Sequence, residues 1–178
     1  FHNFIKNQLN KKTKIIFLRH AKTKLNDGSF LGIRRNPGIL LNKKTKKKIR
    51  KIKNKKILFI YSSEMKRSIQ TSNLLNKKKN LIINKNLNEK NYGDAEGLKY
   101  AQLNKKYRYL LNSWSKKKDP KFPNGESDSD VLKRFNIFKG MLVKKLNKNN
   151  SSGFIFVVSH NVFLRNIIGN AFGIKKYD

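Results

Sequence analysis

The sequence predicts a single α/β domain with a mostly parallel sheet flanked by helices on both faces. Short apolar, β-branched blocks alternate along the chain with longer amphipathic segments, which is typical of strand–helix–strand units. The chain has 178 residues, enough for one compact domain with a sizeable core, and shows neither an internal repeat nor a domain linker. We therefore treat residues 1–178 as one domain.

The predicted elements follow the apolar blocks in chain order. A first buried strand covers residues 14–19, and the glycines and proline of residues 26–41 predict an irregular loop. Further strands are predicted at 57–61, 81–83 and 154–158, and helices at 42–54, about 64–77, 99–115, 127–147 and 161–172. In an open parallel sheet, ligands bind beyond the carboxyl ends of the strands, so those ends are the first place to look for a site.

The charge of the chain is strongly positive. Lys and Arg number 43 against 10 Asp and Glu, which gives a formal net charge of +33. The excess is mostly lysine, spread over nearly every exposed segment and accompanied by asparagine, isoleucine and phenylalanine, whose codons are rich in A and T. Compositional drift explains this pattern better than selection for a nucleic-acid groove, because charge runs are usually solvated faces. We do not expect a nucleic-acid partner, although the charge favours attraction of small phosphorylated metabolites.

The same composition bears on location and on metal or disulfide chemistry. Cysteine is absent, so disulfides and thiolate metal sites are excluded. No run reaches the roughly 20 apolar residues that a membrane helix requires, and the first residues lack the apolar core of a secretory signal. We expect a cytoplasmic protein without a membrane partner.

Polar side chains stand at the ends of three predicted strands. Arg19 and His20 follow the first strand, Arg67 lies just beyond the second, and His160 and Asn161 follow the last. A single histidine at a strand end is more often a hydrogen-bonded structural residue. Two of only three histidines at such ends are harder to explain that way, because neighbouring parallel strands would bring both imidazoles to one edge.

Two imidazoles and two guanidiniums at one edge suit phosphoryl transfer. The guanidiniums of Arg19 and Arg67 match phosphate oxygens in a bidentate way and lower the pKa of a neighbouring imidazole. A neutral imidazole nitrogen can attack phosphorus to form a phosphohistidine, while the second imidazole donates to the equatorial oxygens. The leaving alkoxide then needs a proton, and a carboxylic acid beside the phosphate dianion keeps its proton near neutral pH.

Few carboxylates are available for that proton. Glu89 and Glu96 lie in the glycine-bearing loop "LNEKNYGDAEG", and Glu126 lies beside another glycine. Glu64 opens a helix, where an acidic residue simply favours the helix dipole. Spacing alone does not choose between Glu89 and Glu96.

Five segments together resemble one known family. In chain order, they are "LRHAKTKLN", "SSEMKRSIQTS", "LNEKNYGDAEG", "FPNGES" and "VVSHNVFLR". They resemble the signatures L-R-H-G-x-T-x-x-N, S-x-x-x-R-x-x-Q-T, L-x-E-x-x-x-G-x-x-E-G, P-x-G-E-S and V-S-H-G-x-x-x-R of the histidine phosphatase superfamily, also called the phosphoglycerate mutase-like family. The resemblance extends over essentially the whole chain and implies a phosphoglycerate mutase-like fold.

The resemblance implies a role for each matching residue. His20 would be the phosphorylated nucleophile and Glu89 the proton donor, while Gly32 would be the small residue that lines the substrate pocket. The implied phosphate-binding groups are Arg19, Asn26, Arg67, His160 and the main-chain N–H of Asn161. Glu96 and Glu126 would be structural, with Glu126 supporting the pocket. Neither a metal nor a cofactor is expected, since arginine and histidine supply the positive charge.

The chain departs from the family pattern at several positions. Ala21 and Asn161 stand where glycine is usual, so we expect backbone strain or a reshaped pocket there. Ala95 replaces an aromatic residue, which predicts a smaller pocket wall. Family members usually continue beyond the point where this chain stops, at Asp178, so we expect residues to be missing there.

The length of one segment favours a phosphatase over a mutase. Only residues 98–122 separate the loop that carries Glu89 and Glu96 from the P-x-G-E-S turn, whereas mutases carry a longer insertion. A small insertion leaves the site open to water and favours hydrolysis of the phosphohistidine. We therefore predict a metal-independent phosphatase acting on a small phosphomonoester. The alternatives are a cofactor-dependent phosphoglycerate mutase, or a catalytically weak relative that binds nucleic acid or anionic partners through its lysine-rich surface.

Overall fold

The computed structural model describes residues 13–25, 27–53, 55–75, 80–116, 118–148 and 151–174. Within these ranges the strands and helices are, in chain order, β1 (Thr13–Arg19), α1 (Lys43–Lys53), β2 (Ile57–Ser62), α2 (Lys66–Leu75), β3 (Leu81–Ile83), α3 (Tyr100–Ser115), α4 (Asp128–Asn147), β4 (Gly153–Ser159) and α5 (Asn161–Phe172). Two short 3-10 helices, Lys85–Leu87 and Gly93–Ala95, lie between β3 and α3. Every predicted strand and helix is present, and those predicted ends that fall on described residues agree within two residues, while the predicted helix ends at 54 and 77 lie outside the described residues.

The four strands form one parallel sheet in the order β1-β4-β2-β3. Phe156, Val157 and Val158 of the inner strand β4 are fully buried, because that strand is covered on both faces. The register pairs Arg19 of β1 with Ser159 of β4. The residues that follow these two positions therefore leave the sheet side by side at its carboxyl edge.

Helices cover both faces of the sheet, as predicted. Side chains alternate along β4, so that Ile155 and Val157 pack against α4 and α5, whereas Phe156 and Val158 pack against α1 and α2. The buried residues of α4 recur every three or four positions, which is the spacing of one helix face: Val131, Phe135, Phe138, Leu142 and Leu146. The fold class predicted from the sequence is thus confirmed.

A third apolar cluster lies away from the sheet and joins two loops. Its rings belong to Phe30, Tyr92, Tyr107, Trp114 and Phe122, and we call it the aromatic cluster. Phe30 contacts Tyr92 edge to face with ring centroids 4.6 Å apart, and Trp114 contacts Phe122 at 5.0 Å. The cluster packs the loop before α1 against the loop before α3, with α3 beneath both.

Helix α2 begins two residues later than the predicted position 64. The backbone N–H of Ser63 still donates to the carbonyl of Val158 at 3.2 Å, so pairing with β4 continues past the end of β2. The helix can start only after this pairing ends, and its first residue is Lys66.

No helix in the described ranges is both long enough and apolar enough to cross a membrane. The longest, α4, has 20 residues and carries charged side chains in its first and last turns.

A substitution in α4 tests the importance of the core on that face. Phe138 is fully buried and contacts Tyr61 with ring centroids 5.2 Å apart, whereas the adjacent Ile137 is 59% exposed. We expect Phe138→Ala to lower the free energy of unfolding by about 3 to 5 kcal/mol because it leaves a cavity. Ile137→Ala should change it by less than about 0.5 kcal/mol. Urea denaturation of both variants measures the difference, and equal losses would contradict this assignment of the core.

Candidate active site

The carboxyl edge of the sheet brings the two predicted histidines together. His20 follows β1 and His160 follows β4, and their ring centroids are 5.1 Å apart. The backbone N–H of His20 donates to the carbonyl of Ser159 at 2.9 Å, which extends the β1–β4 ladder by one residue. The parallel register therefore fixes the backbone position of the first imidazole relative to the second.

The surroundings of His20 leave one ring nitrogen with a free lone pair. Its Nδ1–H donates to the carbonyl of Ala21 at 2.7 Å, so the lone pair of the neutral ring is on Nε2. Burial lowers the pKa of His20 from 6.5 to about 4, and the positive charges of Arg67 and Arg19 act in the same direction, while the Ala21 carbonyl opposes them. The ring is therefore neutral at physiological pH, as a nucleophile requires.

His160 is fully buried and contacts two other polar side chains. Its Nδ1 accepts a hydrogen bond from Nε of Arg67 at 3.2 Å, so Nε2 carries the proton and donates to Oγ of Ser63 at 2.7 Å. Burial holds the pKa of His160 well below its usual range, and the Arg67 charge lowers it further. Ser63 was not singled out from the sequence, although the S-x-x-x-R segment begins with it.

The Arg67 guanidinium is fully buried and held by protein acceptors on each of its three nitrogens. Besides the Nε bond to His160, Nη1 donates to the carbonyl of Arg35 at 3.0 Å and Nη2 to the carbonyl of Gly32 at 2.7 Å. Gly32 has a φ of +56°, a conformation that favours glycine. Arg19, in contrast, is exposed at the rim.

Glu89 is buried against the amino-terminal end of α5. Its Oε1 accepts from the backbone N–H groups of Lys90 at 3.0 Å and Phe163 at 2.9 Å, and its Oε2 accepts from that of Val162 at 3.3 Å. Burial raises the pKa of Glu89, and these N–H donors and the Arg67 charge oppose the rise. Burial therefore favours the protonated form of Glu89, whereas the N–H donors and Arg67 favour its carboxylate form.

These groups border one cavity of about 310 Å³. Its walls include most of the predicted site residues, namely Arg19, His20, Gly32, Arg67, Glu89 and Asn161. His160 lies behind this wall, in contact with His20 and Arg67. Asn26 lies outside the described residues.

The two positions where glycine was expected show no left-handed backbone strain. Among the described residues other than glycine, positive φ occurs only at Asn80 and Asn124, so Ala21 and Asn161 are both free of it. The strain expected from these departures is therefore not found. Ala21 instead anchors the site, since its N–H donates to Oγ1 of Thr71 at 2.9 Å.

The other two glutamates of these segments, Glu96 and Glu126, contact backbone groups. Glu126 accepts from the N–H of Asn91 at 2.8 Å and from Nε of Arg134 at 3.0 Å, and Arg134 also donates to the carbonyl of Glu89 at 3.1 Å. Glu96 accepts from three backbone N–H groups of two loops. Within the described ranges, no three His, Asp or Glu side chains converge in a way that could hold a metal ion.

Solved structures with a similar fold include phosphatases. A mycobacterial glucosyl-3-phosphoglycerate phosphatase in complex with VO3 aligns with a TM-score of 0.72 at 21% identity, over 86% of this chain and 78% of that one. A phosphoserine phosphatase mutant from Entamoeba histolytica, in complex with phosphoserine, aligns with a TM-score of 0.71 at 24% identity, over 92% and 81%. At these identities the likeness concerns the fold.

Sequence comparison gives a partial relative and a family. A 2,3-bisphosphoglycerate-dependent phosphoglycerate mutase of Buchnera aphidicola subsp. Cinara cedri (strain Cc) is 38% identical over 107 residues, which are 54% of this chain and 46% of that protein. The match thus spans about half the length of this curated relative. The family profile of the histidine phosphatase superfamily (branch 1) matches residues 15–178. With the fold and the shared edge of the sheet, this match identifies the chain as a member of the histidine phosphatase superfamily.

Proposed function

We propose that this protein is a phosphatase that hydrolyses a small phosphomonoester through a phosphohistidine on His20, with Glu89 as the proton donor. The observation that carries the proposal is the neutral His20 ring. Its Nδ1–H is bound to the Ala21 carbonyl, which leaves Nε2 available in a cavity shared with Arg67 and Glu89.

The first half of the reaction transfers the phosphoryl group to the protein. Nε2 of His20 attacks phosphorus as the ester P–O bond breaks, and Glu89 gives its proton to the departing alkoxide. Arg19 and Arg67 stabilise the charge on the phosphoryl oxygens. Burial keeps Glu89 protonated more readily than an exposed carboxyl group, which suits it for this step.

The second half returns the protein to its starting state. Glu89, now a carboxylate, accepts a proton from a water molecule as the water oxygen attacks phosphorus and the P–N bond to His20 breaks. Inorganic phosphate leaves and His20 is neutral again. We propose that no metal takes part, since the two guanidiniums and the imidazoles supply the positive charge.

The remaining predicted phosphate ligands have unequal support. Asn161 lines the cavity at the start of α5, where helix amides favour anions. His160 was expected to contact the phosphoryl group, and we keep that role as a proposal. A direct hydrogen bond from His160 requires it to release its contact with either Ser63 or Arg67.

A mutase is the second candidate, because the curated relative that matches part of the chain is a phosphoglycerate mutase. The two activities differ in the fate of the phosphoryl group. A mutase returns it to a second hydroxyl group and requires a bisphosphorylated primer, so it releases little phosphate. The phosphatase proposal is supported by the short segment 98–122, of which α3 forms the larger part.

Replacing the proposed nucleophile tests the phosphatase directly. We expect His20→Ala to reduce phosphate release from p-nitrophenyl phosphate, assayed with EDTA and no added metal, by about 1,000-fold or more. The acid-labile, radioactively labelled phosphoenzyme should disappear with it. His2→Ala removes another histidine and serves as the matched control. Full activity in His20→Ala would refute the covalent mechanism, and wild-type activity that EDTA abolishes would refute metal independence.

Replacing the proposed acid should affect substrates unequally. Glu89→Gln cannot protonate the leaving group, so alkyl phosphates, whose alkoxides are poor leaving groups, should lose far more kcat/KM than p-nitrophenyl phosphate. The nitrophenyl ester is the internal control, because its leaving group departs without a proton. Equal losses for both esters would contradict the acid role of Glu89.

The ionisation of His20 is a separate test. Its environment lowers the pKa to about 4, so the imidazole should stay neutral when the pH falls from 7 to 5. An NMR titration of the ring resonances, assigned with His20→Gln and His2→Gln, measures this pKa in the folded protein. A midpoint near 6.5 would contradict the buried, neutral nucleophile.

A further inference from the structure

The Glu96 carboxylate joins the loop before α1 to the loop before α3. Its Oε1 accepts from the backbone N–H of Ile33 at 2.9 Å and of Tyr92 at 3.2 Å, and its Oε2 accepts from that of Arg34 at 2.7 Å. Charged acceptors form stronger hydrogen bonds than neutral ones, so these three bonds fix the two loops relative to one another. We infer that Glu96 is a positioning residue that orients the Arg67 guanidinium toward the phosphate, through the loop carbonyls that Arg67 contacts.

The first link from Glu96 to Arg67 runs through Gly32. A Cβ atom on Gly32 would lie 2.0 Å from Oε1 of Glu96, so the carboxylate packs directly against this backbone. The next two amides of the chain, those of Ile33 and Arg34, bind the same carboxylate. Glu96 thus holds the segment whose first carbonyl receives Nη2 of Arg67.

The second link is the orientation of the guanidinium. Glu96 binds the amides of Ile33 and Arg34, and the carbonyls of the residues on either side, Gly32 and Arg35, each accept from one terminal nitrogen of Arg67. With Nε on His160, these contacts fix the plane of the group. A guanidinium has five N–H groups, of which these contacts use three, and Arg67 lines the cavity, so we expect the remaining two to bind an anion there.

The negative charge of Glu96 also stabilises the charged guanidinium of Arg67. Burial lowers the pKa of Arg67, and the negative charges of Glu89 and Glu96 oppose this effect. Of these two carboxylates, Glu89 must carry a proton during the first chemical step proposed above, whereas Glu96 takes no part in that proton transfer. Glu96 therefore places negative charge near Arg67 that the proposed proton transfer does not remove.

This inference rests on the proposed function, because the orientation of Arg67 matters only if the site binds a phosphate group. It goes beyond a purely structural role for Glu96. A structural role alone would lower stability and leave phosphate affinity unchanged in the folded protein. A positioning role lowers the affinity of the folded protein for a phosphate-like anion and depends on Arg67.

The experiment measures orthovanadate and inorganic phosphate binding by calorimetry, together with kcat/KM for p-nitrophenyl phosphate and the melting temperature. We expect Glu96→Ala to weaken anion binding and lower kcat/KM by about 10- to 100-fold at temperatures where it is folded. Glu96→Gln should fall between it and the wild type, because its amide oxygen still accepts but its NH₂ group faces the N–H of Arg34 or Ile33. Asp94→Asn is the matched control, since Asp94 lies in the same loop and its carboxylate pairs with the exposed Arg34 side chain.

A double substitution identifies the route. In the background of Arg67→Lys, which keeps the charge but loses the guanidinium, Glu96→Ala should cause little further loss. Additive losses, or unchanged anion affinity in folded Glu96→Ala, would overturn the inference. If the wild type binds vanadate but releases no phosphate from esters, the proposed function fails while the binding measurements still decide the role of Glu96.

Discussion

The interior of this domain contains a positive charge that cannot be neutralised by losing a proton. An arginine keeps its charge at any working pH, and Arg67 is fully buried, so the surrounding groups have to accommodate it. Two main-chain carbonyls and one imidazole nitrogen accept its N–H groups, and the neighbouring histidines are held neutral. A buried cation of this kind favours an anion at the site. Arg67 is thus the group that links the neutral histidines to the loop carbonyls of Gly32 and Arg35.

The sheet explains why so much of the site could be predicted from the sequence. His20 and His160 each follow an uninterrupted apolar strand, and parallel strands place their carboxyl ends at one edge. The strand order could not be predicted from this pattern, but the observed pairing of Arg19 with Ser159 places the two histidines side by side, with ring centroids 5.1 Å apart. Arg67 was predicted because it lies just beyond the second apolar strand, and the structure places that strand, β2, next to β4 on the side opposite β1.

The contacts that could not be predicted all depend on how loops pack. The partners of Glu96 at Ile33 and Arg34 are more than 60 residues away in the chain, and nothing in the local pattern pairs them. The sequence alone did not distinguish Glu89 from Glu96, and only the family resemblance did so. In the structure the difference is physical, because the amides of α5 bind Glu89 beside the cavity, whereas loop amides hold Glu96 behind it.

The aromatic cluster is a small apolar core separate from the two cores that pack on the sheet. The edge of the sheet, which holds the proposed phosphate-binding groups, packs on the clusters around β4, whereas the aromatic cluster is separate and contributes Phe30 and Tyr92 to the cavity wall. We therefore expect changes in α3 to reach the cavity wall through the Phe30 and Tyr92 rings, without passing through the strands. If the protein is the phosphatase proposed above, recognition of the alcohol part of its substrate can change with the aromatic cluster while the sheet continues to hold the groups that bind the phosphate.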